Sequence, residues 1–282
     1  MGNGDCKTSQ SRGRLLVRAL PCLLGLNITG ALAEPLQACT RPLSVAFYAI
    51  PPYYYHGADS TEWRGIDRDL IDELARRTGC RFEQRFESRV RIWQQLEAGS
   101  LDLSASAIQT PERDRFARFI PYTTERNLVA VRSSAPASTN ASTVLTDPAL
   151  SLAITRGYRY GPPFDSWIDT LKRSGRVVEA ADEEAALRLV TIGRADAAIV
   201  RDSAWRLVSR LYPTASLRRL DVGAPVIEVN LVLSRAQIGT GLYDRFNAAI
   251  TSLKRDGSLR RIVDRHVSPD SPRAHGNENP AP

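Results

Sequence analysis

The run Thr110-Pro111-Glu112-Arg113 places an arginine in the first turn of an expected helix, with Thr110 as its N-cap and Pro111 as its first helical residue. Unpaired backbone N–H groups and the helix dipole favour an anion there. A guanidinium fork can hold a carboxylate through two parallel hydrogen bonds. Arg113 is therefore the leading candidate for a ligand carboxylate, and the hydroxyls of Ser106 and Thr110 on the same loop would add contacts. Upstream, Pro51-Pro52-Tyr53-Tyr54-Tyr55 follows a β-rich run, at the strand end where open α/β sheets bind ligands. Alternation sends Tyr53 and Tyr55 one way and Tyr54 the other. Tyr53 is the expected ligand contact, with burial in the core as the alternative for these rings. Groups of this kind bind rather than react. The sequence has no G-x-S-x-G, S-x-x-K, phosphate-loop or dinucleotide motif. His56, His266 and His275 lie far apart, and no His/Cys set has metal spacing. A non-enzymatic function without metal or cofactor is expected.

The elements that position these groups must fit in 282 residues, enough for about two domains. Hydrophobic residues at 43% and charged residues at 24% exclude a disordered, fibrous or polytopic membrane chain. The net charge of +7 dissolves on division, because residues 1–33 hold four bases against one acid. The remaining charges are mixed along the chain, so a nucleic-acid partner is not expected. Residues 1–33 read as a secretory signal. Arg12, Arg14 and Arg18 precede an apolar run ending in Ala31-Leu32-Ala33, with cleavage before Glu34. The mature protein is thus expected in an oxidising, extracytoplasmic space. It keeps Cys39 and Cys80, one disulfide's worth in an oxidising compartment. Leu36-Gln37-Ala38-Cys39 also loosely resembles a lipoprotein cleavage box, which leaves a lipid on Cys39 as the alternative.

Periodicity gives alternating strands and helices, the signature of α/β units. Strands are expected over 43–48, 81–87, 101–107, 128–132, 151–155, 176–179, 195–200, 215–220 and 226–233. Helices are expected over 67–78, 89–98, 164–173, 182–192, 203–211, 242–255 and 259–266. Residues 133–143, SSAPASTNAST, are low in complexity and read either as a surface loop or as a domain connection. The tail from 268 is rich in Pro, Asn and Ser and is expected to be disordered. Cys39 lies four residues before the first strand and Cys80 directly precedes the second. If these strands are parallel neighbours, a Cys39–Cys80 disulfide is geometrically natural.

Four motifs, in order and with sensible spacing over about 41–267, carry a resemblance to bacterial extracellular solute-binding proteins of family 3. They are Gly65-Ile66-Asp67-Arg68-Asp69-Leu70; Thr110–Arg113 with Phe119-Ile120-Pro121-Tyr122; Gly193-Arg194-Ala195-Asp196-Ala197; and Lys254–Ile262. The resemblance implies a periplasmic receptor, monomeric, that delivers an amino acid or related carboxylate to an ABC transporter permease. It implies an α/β, type II periplasmic binding protein fold with two crossing strands and a ligand cleft between lobes. The crossings would be 128–132 and 226–233. Lobe 1 would then span 40–131 and 226–268, lobe 2 132–225, and a disordered tail 269–282.

The sequence departs from the family's pattern in ways that leave the ligand open. Family members often read an α-amino group with an Asp five residues after the Asp of the third motif. Counted from Asp196 that position is Arg201, and Asp202 reaches it only through a one-residue bulge. The usual anion turn of the second lobe appears as Gly157-Tyr158-Arg159-Tyr160-Gly161, where Arg159 would add a second positive group. The resemblance also admits a secreted enzyme on the same fold, dehydratase-like or lytic, and a ligand-sensing partner of another periplasmic protein, although no effector domain follows residue 268.

Overall fold

A computed structural model describes residues 39–56, 61–205 and 216–267. The expected signal at 1–33, the tail at 269–282 and most of the helix expected over 203–211 lie outside the described residues. The strands are β1 (Leu43–Phe47), β2 (Tyr55–His56), β3 (Trp63–Arg64), β4 (Phe82–Phe86), β5 (Leu103–Ala107) and β6 (Ala117–Glu125), then β7 (Asn127–Arg132), β8 (Leu152–Thr155), β9 (Val177–Ala180), β10 (Ala197–Arg201), β11 (Leu217–Leu220) and β12 (Ile227–Ser234). The helices are α1 (Ile66–Thr78), α2 (Arg89–Ala98), α3 (Phe164–Arg173), α4 (Glu183–Thr191), α5 (Thr240–Arg255) and α6 (Ser258–Val267).

Two five-stranded sheets organise the chain, in the orders β4-β1-β5-β12-β6 and β11-β7-β10-β8-β9. Within each sheet, βαβ units make the parallel pairs: β1 beside β4 and β5, and β8 beside β9 and β10. Strands β12 and β7 enter antiparallel, because each arrives by crossing from the other sheet. Apolar spacing drives each helix onto its sheet. Helix α1, for example, buries Ile66, Leu70, Ile71 and Leu74 and stops at Gly79, which takes the left-handed conformation.

The sheet pairings move one expected boundary and decide between two readings of another stretch. Residues 128–131 were assigned to the first lobe, but β7 pairs with β10 and β11 in the second sheet. The outward crossing is the single residue Arg126 between β6 and β7, and the return runs through 221–226. The two crossings lie side by side, Glu125 pairing with Ile227. The low-complexity stretch 133–143 is a surface loop and no domain connection, since the strands flanking it, β7 and β8, share one sheet. Strand β6, absent from the expected elements, is the edge strand beside β12.

Gly65 shows how a motif positions the site. Its φ is 140°, and a Cβ there would lie 2.0 Å from the carbonyl oxygen of Tyr53. That close approach lets Asp67 N–H donate to Tyr53 O at 2.9 Å and Ile66 N–H to Pro52 O at 3.2 Å. The helix start and the tyrosine loop are thereby locked together.

Candidate ligand cleft

Strands β1, β8 and β10 end, and helices α2 and α4 begin, around one narrow cavity lined by Tyr48, Arg89, Tyr158, Tyr160, Glu183 and Arg201. This is where parallel sheets present their carboxyl ends. Arg89 is the first residue of α2, after Ser88, whose hydroxyl caps the helix by accepting from Arg91 N–H. Its guanidinium lies 3.6 Å from the centroid of the Tyr48 ring and 4.4 Å from that of Tyr158. One ring comes from each side of the cleft, a cation–π sandwich. Arg89 is 6% exposed.

Arg201 is the last residue of β10 and Glu183 the first of α4. The Arg201 backbone N–H donates to Glu183 Oε1 at 2.8 Å, and its Nη2 donates to Glu183 Oε2. Nη2 also reaches Pro51 O, across the cleft, at 2.6 Å. Burial by itself would lower the Arg201 pKa, but the facing Glu183 outweighs it, so the guanidinium stays charged. Tyr158 also lines a wider, open cavity of about 470 Å³ whose rim includes Trp93, Arg113, Arg159 and Glu112.

The sequence profile of bacterial extracellular solute-binding proteins, family 3, matches residues 43–269. The chain belongs to this family. No curated protein matches the sequence. Among solved structures, a histidine kinase sensor domain with similarity to periplasmic binding proteins is 18% identical, with 81% of this chain and 96% of that chain covered at a TM-score of 0.69. The arginine-, lysine-, histidine-binding protein ArtJ from Geobacillus stearothermophilus is 15% identical, with 80% and 95% covered at 0.69. The ancestral amino acid-binding protein AncCDT-1, a precursor of cyclohexadienyl dehydratase, is 18% identical, with 80% and 95% covered at 0.65. At these identities the likeness shows the fold, that of type II periplasmic binding proteins. Among the described residues no helix is long and apolar enough to cross a membrane.

The residues singled out in this family-3 protein fall into two groups. Arg113 and Arg159 line the wider cavity. Arg113 is buried, stacks 3.7 Å from the Trp93 ring centroid and donates to Ile108 O at 2.7 Å and to Gly157 O at 3.4 Å. Burial, with repulsion from Arg89 and Arg159, lowers its pKa to about 10. The helix expected to begin there is a 3-10 turn, Arg113–Arg115, because β6 starts at Ala117. A turn of that length supplies no helix dipole, so any anion held there depends on the guanidinium. Thr110 Oγ1 accepts from Arg113 N–H at 3.3 Å, but the residue that directly precedes the turn is Glu112, not the expected Thr110. Arg159 pairs with Glu112 at 3.5 Å, an exposed contact of small worth.

The other three are committed elsewhere. Tyr53 is buried and donates to Glu125 Oε1 at 2.6 Å, beside the crossing strands. Ser106, at φ 52°, donates to Asp67 Oδ2 at 2.7 Å. The bulge that would bring Asp202 inward does not form: β10 ends with Arg201 turned into the cleft, and Asp202 pairs with Arg219 at 2.7 Å. Sequence reasoning missed Arg89, Glu183, Tyr48, Tyr158 and Tyr160 as site residues. A charged residue directly after the Ser88 cap was the available signal for Arg89.

Asp67 accepts from Tyr122 OH at 2.5 Å as well as from Ser106. Burial lifts its pKa from 3.8 to about 6, against the opposing pull of those hydrogen bonds. A folded pKa above the unfolded one means that its contribution is complete below pH ~4 and lost as pH rises through about 6. Asp67→Asn cannot ionise. The stability difference, wild type minus variant, should therefore shrink by about 3 kcal/mol between pH ~4 and ~7. Thermal melts of both proteins across that range check this; a pH-independent difference would exclude the titration.

Proposed function

We propose that the protein is a periplasmic receptor that captures a small polar solute between its two lobes and delivers it to an ABC transporter permease in the inner membrane. Lobe 1 is built on the first sheet and lobe 2 on the second, with 1–33 as the export signal. The observation that carries this reading is the cavity at converging strand ends and helix starts, with Tyr48 and Arg89 from one lobe and Tyr158, Glu183 and Arg201 from the other. Arg113 and Arg159 are proposed to meet the solute at the wider opening. Tyr53, Ser106, Thr110 and Asp202 serve by holding the hinge and loops around it.

The carboxylates nearest the cleft support binding over catalysis. Glu183 is engaged by Arg201, and Asp67 by Tyr122 and Ser106. Similarity to a histidine kinase sensor domain favours a second reading, in which the closed receptor signals to a partner protein. Both readings require closure about the paired crossings. A thermal-shift screen of amino acids, organic acids and polyamines identifies the solute. Small-angle scattering at saturation should then give a smaller radius of gyration than the free protein. An unchanged profile counts against the receptor mechanism.

A further inference from the structure

Three buried side-chain nitrogens at the narrow cavity have no hydrogen-bond partner among the described residues: Nε and Nη2 of Arg89 and Nη1 of Arg201. Both arginines are more than nine-tenths buried, at 6% and 2% exposure. Buried donors left unmatched are costly and rare in native proteins, and charged ones more so. All three orphans donate, and the orphaned acceptors, Asn127 Oδ1 and Asn230 Oδ1, belong to residues outside the lining. Among the described lining residues, Glu183 is the one carboxylate, and both of its oxygens already accept from Arg201. Two guanidinium groups against one carboxylate leave the lining with a net charge of +1. Of the lining tyrosine hydroxyls, that of Tyr48 donates to Ser106 O at 2.8 Å, and that of Tyr160 accepts from Thr155 N–H at 2.8 Å.

We infer that the cleft selects an organic carboxylate that lacks an α-ammonium group, its carboxylate taking the unmatched donors of Arg89 and Arg201. This rests on the receptor reading above and names the class of its solute. A carboxylate satisfies the orphan donors, balances the charge and lies near the N-terminus of α2. An α-ammonium brought into the same space would face two guanidinium groups, with the lining's carboxylate already held by Arg201. Tyr48 and Tyr158 brace the Arg89 fork, so little ordering remains to be done on binding. The cavity holds about 10 Å³ in this conformation, about one water. A solute of several atoms therefore enters only when the lobes part.

The test uses matched probes that differ in the amino group: succinate with aspartate, glutarate with glutamate, and 3-phenylpropionate with phenylalanine, with inorganic phosphate as a separate arm. Affinities come from titration calorimetry and thermal shifts on the mature protein. At least one acid should bind about tenfold or more tightly than its amino-acid partner. Arg89→Gln should weaken that acid by at least about tenfold without lowering the melting temperature of the free protein, because it removes an unmatched buried charge. Should Arg89→Gln fail to fold, Arg89→Lys keeps the charge but not the fork and should still lose affinity. Amino acids binding as well as or better than the acids overturn the inference and leave the receptor reading intact, as does phosphate binding alone. If acids, amino acids and phosphate all fail to bind, both fall.

Discussion

Replacing Glu183 by alanine is expected to destabilise the protein by about 3–5 kcal/mol, the largest loss from any single substitution at the cleft. Arg201 is 2% exposed and stays charged, and Glu183 is the carboxylate that faces it. Removing that carboxylate strands a guanidinium in a medium where its charge cannot be solvated, and deletes the acceptor of the Arg201 backbone N–H. Urea unfolding of the variant measures the effect, and a thermal melt should fall by on the order of 10 °C. The double variant Glu183→Ala with Arg201→Met removes both charges and should recover most of the loss, since a buried ion pair is often no better than an apolar replacement. A single-variant loss below about 1 kcal/mol would mean that water reaches Arg201, and that the pair behaves as a surface bridge.

How much of this was legible in the sequence depended on the range of the interaction. Local signals performed well: apolar spacing located α1, α2 and the parallel strands, and glycines marked their ends. The edge strand β6 escaped because it carries Pro121, which disrupts a strand pattern. The fold accepts it because β6 pairs on one side, and the ladder shifts register where Pro121 faces Asn230. The crossing was misplaced by several residues for a related reason. Strands β6 and β7 are nearly continuous, so nothing in their composition announces that Arg126 passes from one sheet to the other. At the site, Arg113 was visible as a motif residue. The Arg89–Glu183–Arg201 constellation joins positions far apart in sequence, and its unmatched donors exist only once the chain is folded. The departure at Arg201 was readable, but its meaning required knowing that Asp202 turns outward to Arg219.

The bridge between Cys39 and Cys80 tests the topology from the opposite edge of the first sheet. Their Cα atoms are 5.3 Å apart and they are 41 residues apart in sequence. Strands β1 and β4 are parallel neighbours with Leu43 opposite Phe82, so both cysteines fall at the amino ends of the strands. The cleft lies at the carboxyl ends, beyond Phe47. In the chain-entropy model, a loop of this length stabilises the fold by on the order of 4 kcal/mol through restriction of the unfolded chain. Cys80 is buried in the core around the first sheet with Cys39 packed against it, so the bridge also ties the chain before β1 to that core. Reduction should therefore lower the melting temperature by on the order of 10 °C. Because the native cleft makes no use of the bridge, solute affinity below that transition should change by no more than about twofold. Non-reducing mass spectrometry of the purified protein checks the premise, since a lipid on Cys39 or two free thiols would refute the pairing. A loss of affinity as large as the loss of stability would show that the two edges of the sheet are coupled, contrary to the placement of the bridge.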